Sequence, residues 1–102
     1  MRDEFQISLG SGIAAFEAKQ FSQAWSLLKP YAEAGDASAQ YRLGIMCQIG
    51  LGQVRNEQLA YHWMSSAADQ GYGLALHGLG QMYLDGDCTV QDEGKALACF
   101  EQ

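Results

Sequence analysis

The chain has 102 residues, of which 48 % are apolar and only one is proline, a composition that favours a single globular domain. No apolar run reaches the length of about 18 residues that a membrane span needs, and the acidic N-terminus MRDEF is unlike a secretion signal. Six basic and twelve acidic side chains give a net charge of −6. The sequence therefore shows no source of positive charge for binding nucleic-acid phosphates. We therefore expect a cytoplasmic protein that binds neither membranes nor nucleic acids.

The chain repeats itself at a spacing of 36 residues. The residues that recur at this spacing are Ala39, Leu43, Gly44, Met46, Gly50, Val54, Glu57 and Ala60, which match Ala75, Leu79, Gly80, Met82, Gly86, Val90, Glu93 and Ala96. The same spacing relates Ala24 to Ala60 and Gly35 to Gly71, so the first third of the chain belongs to the series. The sequence therefore predicts an array of about three units.

Each unit contains two stretches with the apolar spacing of a helix. In the middle unit the first stretch holds Ala39, Leu43, Met46 and Cys47, and the second holds Ala60, Trp63, Met64, Ala67 and Ala68. Asp36, Asn56 and Asp92 are placed to cap helix N-termini, and Gly35 and Gly71 to end helices. The pattern predicts pairs of helices, roughly six helices in all.

Gly50 and Gly52, in the segment QIGLGQVRNE, have the look of a phosphate-binding loop. A dinucleotide-binding loop, however, follows a strand, and a P-loop needs a lysine and a hydroxyl residue where Gln53 and Val54 stand. The matching loop of the next unit, DGDCTV, is acidic. We therefore predict that these glycines only turn the chain between two helices.

The pattern A-x3-LG-x-M-x3-G-x3-V-x2-E-x2-A followed by W-x3-AA-x2-G resembles the Sel1-like repeat, a longer-looped relative of the tetratricopeptide repeat. It covers residues 36–102, whereas residues 11–35, with a tight turn, resemble a tetratricopeptide unit. The resemblance implies an all-α fold, a right-handed superhelix of antiparallel helix pairs. It also implies a docking surface for other proteins and no catalytic residues.

We accordingly expect one α-solenoid domain over residues 1–102. Its units would span about 5–35 (tetratricopeptide-like), 36–71 (Sel1-like) and 72–102 (Sel1-like and incomplete). The alignment of the first helix stays open, because either Gly10 or Gly12 could be the counterpart of Gly44. The first choice shortens the unit by two residues and the second by four.

No group of residues predicts catalysis, a metal site or a cofactor. His62 and His77 are isolated substitutions in the repeat, and the run Asp85–Thr89 lacks the turn glycine of a calcium loop. The three cysteines, at positions 47, 88 and 99, are odd in number and lack the CxxC spacing of a zinc site. Cys47 and Cys99 are predicted to be small core residues. Cys88 lies among acidic residues that disfavour its thiolate.

In stacked helix pairs the first helices line the concave side, and residues there that the repeat does not need for packing are candidates for partner binding. They are Tyr41, Ile45, Gln48, Ile49, His77, Gln81 and Leu84. Several are apolar, as in a peptide-binding groove, and the alternative is that they pack against the neighbouring unit. The net negative charge favours a basic or amphipathic protein or peptide.

The last predicted helix stops at Phe100-Glu101-Gln102, about one turn before the point at which the earlier second helices end. A terminal repeat normally has a polar outer face, so we expect Leu97 and Phe100 to be covered by a second copy or by further repeats. Two functions follow as hypotheses: a partner-binding adaptor, and a self-assembly module that forms a homodimer.

Overall fold

The computed structural model describes residues 4–102, with side chains from residue 9 onward, and consists of six α-helices in three antiparallel pairs. The helices are α1 (Glu4–Glu17), α2 (Phe21–Glu33), α3 (Ala37–Ile49), α4 (Glu57–Asp69), α5 (Gly73–Asp85) and α6 (Glu93–Phe100). Residues 4–102 contain no strand, and the pairs stack into a body of 47 × 28 × 20 Å. The predicted all-α solenoid is confirmed.

Three helices begin at the cap residues that the sequence predicts. The side chains of Asp36, Asn56 and Asp92 accept hydrogen bonds of 2.9, 3.0 and 3.0 Å from backbone N–H groups three residues later. Each bond satisfies a donor that the first turn of a helix leaves unpaired. The starts of α3, α4 and α6 are therefore fixed by local sequence.

The loop from α3 to α4 uses its glycines for backbone geometry, as predicted. Gly50 ends α3 in the left-handed region, with φ of 87°. Gly52 also has a positive φ, 77°, and a Cβ atom there would lie 2.6 Å from the carbonyl carbon of Phe21 at the start of α2. Only a glycine lets the loop approach the preceding helix pair so closely. Its counterpart Cys88 has a φ of 65°, so the turn itself repeats.

The structure decides the alignment of the first helix in favour of Gly12. The α1–α2 loop has three residues, 18–20, whereas the α3–α4 and α5–α6 loops have seven, so the first pair is four residues shorter. A Cβ atom at Gly12 would lie 2.7 Å from Leu28 Cδ2, while a Cβ atom at Gly10 would meet no atom of another described element within 4 Å. In the next pair the corresponding atom at Gly44 would lie 3.2 Å from the Met64 backbone nitrogen. Gly12 in α1 is thus the counterpart of Gly44 in α3, and each lets the second helix of its pair approach closely.

The core runs along the solenoid as two clusters of buried residues. One is centred on Leu28, Leu43 and Met46 and the other on Met64 and Met82, all at most 1 % exposed. Trp25 and Trp63 pack against both clusters and join them. The three cysteines are free, and Cys47 and Cys99 are buried, as the repeat alignment predicts. The core fixes the relative positions of the first helices, α1, α3 and α5, that carry the candidate site.

Candidate functional site: a groove between α3 and α5

A groove with a volume of about 300 Å³ lies between the first helices of the second and third pairs. The residues that line it are Tyr41, Ile45, Gln48 and Ile49 of α3, Met64 of α4, and Leu74, His77, Gly78 and Gln81 of α5. Six of the seven residues predicted to bind a partner are among them. Leu84 does not line the groove, although its side chain is 39 % exposed.

Sequence reasoning missed three residues of the groove: Met64, Leu74 and Gly78. Met64 has the apolar spacing of a core residue and is 1 % exposed, yet it also lines the groove from below. Gly78 has no side chain that a search for binding residues would find. The available signal was its counterpart in the previous repeat, Arg42, because a change from arginine to glycine at a helix surface opens space.

The walls of the groove are partly committed to packing. Tyr41 and Ile45 are half-buried against the second core cluster, and the ring centroid of Tyr41 lies 5.6 Å from that of Tyr72. Burial raises the pKa of Tyr41, so its hydroxyl stays protonated. Ile49 and Leu74 are more exposed, at 61 % and 55 %. Tyr41 and Ile45 therefore pack against their neighbours and also face the groove, which combines the two alternatives left open by the sequence.

Two glutamines form a polar rim at the C-terminal ends of α3 and α5. The Nε2 group of Gln48 donates a 2.8 Å hydrogen bond to Asp87 Oδ2, and that of Gln81 donates a 3.1 Å bond to Asp85 Oδ2. Because a carboxylate only accepts, each amide turns its nitrogen to the acid and keeps its Oε1 atom as a further acceptor. The rim thus combines amide oxygens with two carboxylates and carries negative charge.

Arg55, in the α3–α4 loop, connects this rim to the next helix pair through hydrogen bonds. Its guanidinium donates bonds of 2.8 Å to Asp87 Oδ1, 2.9 Å to Glu57 Oε1 and 2.7 Å to the backbone oxygen of Gln48. The bonds to Asp87 and Gln48 join the two long loops at one end of the groove. Since both partners of this ion pair are partly exposed, it contributes orientation more than stability.

Glu57, Asp87 and Cys88 bring three potential metal-ligand atoms within 4.8 Å of one another. Arg55 already pairs with both carboxylates. Burial, and secondly the neighbouring Asp87 charge, raise the pKa of Cys88 to about 11, so its thiol keeps its proton at neutral pH. A protonated thiol and two ion-paired carboxylates form a poor ligand set. The raised pKa of Cys88 agrees in direction with the sequence-based prediction, although burial contributes more to it than the acidic neighbours do.

A second apolar surface lies on α6. The side chains of Leu97 and Phe100 are 59 % and 41 % exposed. Phe100 packs beside His77, with ring centroids 5.6 Å apart, and a Cβ atom at Gly80 would touch its ring. Its counterpart Met64, in contrast, is buried beneath α5. The outer side of α6 therefore presents Leu97 and Phe100, and Phe100 is exposed at the position where Met64 is buried.

Two adjacent stretches, residues 37–72 and 73–102, match the Sel1 repeat. Together they make up more than half of the chain, which therefore belongs to the Sel1 repeat family. Proteins of this family generally mediate protein–protein interactions and are generally not enzymes. None of the helices in residues 4–102 has the length and apolar character needed to cross a bilayer.

Two solved structures resemble the fold closely. A Sel1 repeat protein from Oxalobacter formigenes is 28 % identical, with a TM-score of 0.87 over 92 % of this chain and 38 % of its own length. The protective antigen c5321 of uropathogenic Escherichia coli, which displays an SLR fold, is 29 % identical, with a TM-score of 0.89 over 95 % of this chain and 21 % of its own.

A curated relative is the ERAD-associated E3 ubiquitin-protein ligase component HRD3A of Arabidopsis thaliana. It is 33 % identical over 63 residues, which are 61 % of this chain and 9 % of HRD3A. The chain thus matches only a small part of this longer protein.

Proposed function

We propose that the chain is a non-catalytic scaffold or adaptor that binds a peptide or protein segment in the groove between α3 and α5. The observation that carries this proposal is the convergence on a single groove of six side chains from positions outside the repeated packing pattern. An apolar floor with a few polar groups at the rim is the usual composition of a binding site. The family's general role in protein–protein interaction supports the same conclusion.

The partner we propose is a basic or amphipathic segment. The rim carries amide oxygens and the carboxylates of Asp85 and Asp87, and the whole chain has a net charge of −6. Such a surface attracts positive partners and repels acidic ones. A volume of about 300 Å³ is small for a binding pocket. The segment would therefore lie across the groove and insert one anchoring side chain.

Selection from a random peptide library displayed on phage tests this proposal. We expect enriched peptides to bind the chain and to lose about tenfold or more in affinity when Ile45 is replaced by Asp, because the change puts a charge into an apolar wall. Val54→Asp is the matched control, since Val54 is 87 % exposed and does not line the groove. Circular dichroism would check that both variants fold. If every enriched peptide bound Ile45→Asp as well as the unchanged chain, the groove would not be the binding site.

A second candidate function is self-assembly through α6. The exposure of Leu97 and Phe100 favours it, because the counterparts of Phe100 in the earlier pairs, Met64 and Leu28, are buried. Light scattering coupled to size-exclusion chromatography should detect a concentration-dependent dimer, and Leu97→Glu should return it to the monomer while Ile45→Asp should not. A monomer at every concentration would remove this candidate and leave the adaptor proposal intact.

A further inference from the structure

We infer that the groove between α3 and α5 receives an arginine side chain of the bound partner, in the place that Arg42 fills one repeat earlier. This inference rests on the proposed function, because it names the chemistry of the partner that occupies the same groove. It depends on a comparison of two equivalent surfaces within the chain, the grooves on either side of α3.

Arg42 is the counterpart of Gly78 at the 36-residue spacing. It lies between α1 and α3, where its Nη1 atom donates a 3.0 Å hydrogen bond to the backbone oxygen of Ser38. Its guanidinium carbon lies 5.7 Å from the centroid of the Phe16 ring, a cation–π distance. The Arg42 side chain thus fills the groove between the first and second pairs.

The counterparts of both residues that contact Arg42 line the open groove. Leu74 corresponds to Ser38, and Gln48 corresponds to Phe16 because the first pair is four residues shorter. Gly78 itself lines the same groove, and Met64 Sδ would lie 2.9 Å from a Cβ atom placed there. The groove therefore has the position of Arg42 without its side chain, and the amide of Gln48 stands in place of the Phe16 ring.

The chemistry of the open groove suits a guanidinium. The stem of an arginine would pack against Ile45 and Met64, as long basic side chains commonly do on apolar surfaces. Its planar head carries five donors, and the acceptors at hand are the Leu74 backbone oxygen and the Oε1 atoms of Gln48 and Gln81. A purely apolar anchor would cover the Oε1 atoms of Gln48 and Gln81 without bonding to them, which costs free energy.

The carboxylates at the rim of the groove also favour a guanidinium as the ligand. Asp85 makes no ion pair among the residues that the structure describes, and its hydrogen bond comes from the neutral amide of Gln81. The carboxylate of Asp87 is shared between Arg55 and Gln48. An incoming guanidinium would therefore meet at least one carboxylate without a cationic partner at the rim. Lysine fits less well, because its point charge cannot reach several acceptors in one plane.

The direct test is a titration of the isotope-labelled chain with N-acetyl-arginine amide, followed by NMR. We expect shifts at the backbone amide of Gly78 and the side-chain amides of Gln48 and Gln81. N-acetyl-citrulline amide has nearly the same shape without the charge, and it should bind about tenfold more weakly or worse. N-acetyl-leucine amide tests the alternative of an apolar anchor.

Gly78→Arg should fill the groove from within, as Arg42 does in the first groove, and abolish the shifts caused by the arginine probe. Gly78→Ala is the matched control and should retain them, since only the end of the flexible Met64 side chain must move. If Gly78→Arg does not fold, Gln48→Leu provides a second test. It should weaken the arginine probe and leave the leucine probe unchanged or strengthened.

Three results would overturn the inference: no shifts with the arginine probe, equal binding of citrulline, or stronger binding of leucine. The peptide selection described above separates this failure from that of the proposed function. Enriched peptides that depend on Ile45 but contain no arginine would overturn the arginine inference and keep the adaptor proposal. Peptides that do not depend on Ile45 would remove both.

Discussion

The junction between the first and second helix pairs differs from the junction between the second and third, although the helices that form them repeat. At the first junction Arg42 fills the groove, and Gly52 brings a loop against the backbone of Phe21. At the second junction Gly78 leaves the groove open. The loops there are held by the ion pair between Arg55 and Asp87.

The difference shows that separate sets of residues control stacking and surface. Packing within each pair depends on close approach at small residues, Gly12 between α1 and α2 and Gly44 between α3 and α4, which the pairs on both sides of the first junction share. Whether the groove is open depends on a position outside that set, Arg42 in one repeat and Gly78 in the next. Arginine fills the groove there, and glycine leaves it open. A solenoid can therefore vary its binding surface without disturbing the core.

The largest effect we expect is from Gly52→Ala at the first junction. A Cβ atom would clash with the Phe21 backbone, which cannot move as a side chain can, and the residue has a φ of 77°. The cost should be roughly 3 kcal/mol of unfolding free energy, measured by urea denaturation. The matched change at the second junction, Cys88→Gly, should leave stability unchanged or slightly higher. Equal losses for the two variants would show that the junctions do not differ in this way.

Arg42→Ala should make the first junction resemble the second. It removes the contact with Phe16, and we expect a loss of about 1 kcal/mol in unfolding free energy. The loss is limited because Arg42 Nε is buried without a hydrogen-bond partner. The same variant should gain a second binding site for N-acetyl-arginine amide, seen as new shifts around Ile13 and Phe16, which do not line the groove between α3 and α5. If no second site appeared, the two grooves would not be equivalent binding surfaces.

Removing the ion pair at the second junction should have a smaller effect that depends on salt. Arg55 is exposed, so Arg55→Gln and Asp87→Asn should each lower the melting temperature slightly in low salt and not at high salt. The double variant would show whether the two side chains act together. A loss that persisted at high salt would mean that Arg55 acts by packing instead of by charge.

The smallest effect on the fold concerns the Cys88 thiol, whose reactivity should differ from that of an ordinary thiol. Its pKa is raised from 9.0 to about 11, so alkylation near neutral pH should be about a hundredfold slower than for an ordinary thiol and should accelerate as pH rises towards that value. Asp87→Asn should lower the pKa and speed the reaction, with burial still keeping the rate below that of a free thiol. Mass spectrometry of the alkylated chain would measure both rates.

Much of the fold was predictable because its signals are local. The caps at Asp36, Asn56 and Asp92 are formed by hydrogen bonds within one helical turn. The 36-residue repeat marked the helix pairs and the positions of the seven-residue loops. It also separated residues needed for packing from those left over, and six of the seven candidate groove residues do line one groove.

Other features could not be read without the stacked helices. The choice between Gly10 and Gly12 depends on which of them meets Leu28, a contact between helices that sequence spacing does not specify. Leu84 satisfied the pattern for a groove residue and lies outside it. The importance of Gly78 is also a property of the tertiary structure, because an absent side chain matters only when neighbouring elements enclose the space it leaves.

The amino-acid sequence by itself thus determined the helices, their caps and the repeat, since these depend on hydrogen bonds and apolar spacing within a few turns. Only the tertiary structure decided which repeat has an open groove. That outcome depends on how α3, α4 and α5 meet around Gly78 and Met64, and on the contact of Arg42 with a residue of another helix. Such volumes arise from packing between distant segments, so no local pattern contains them.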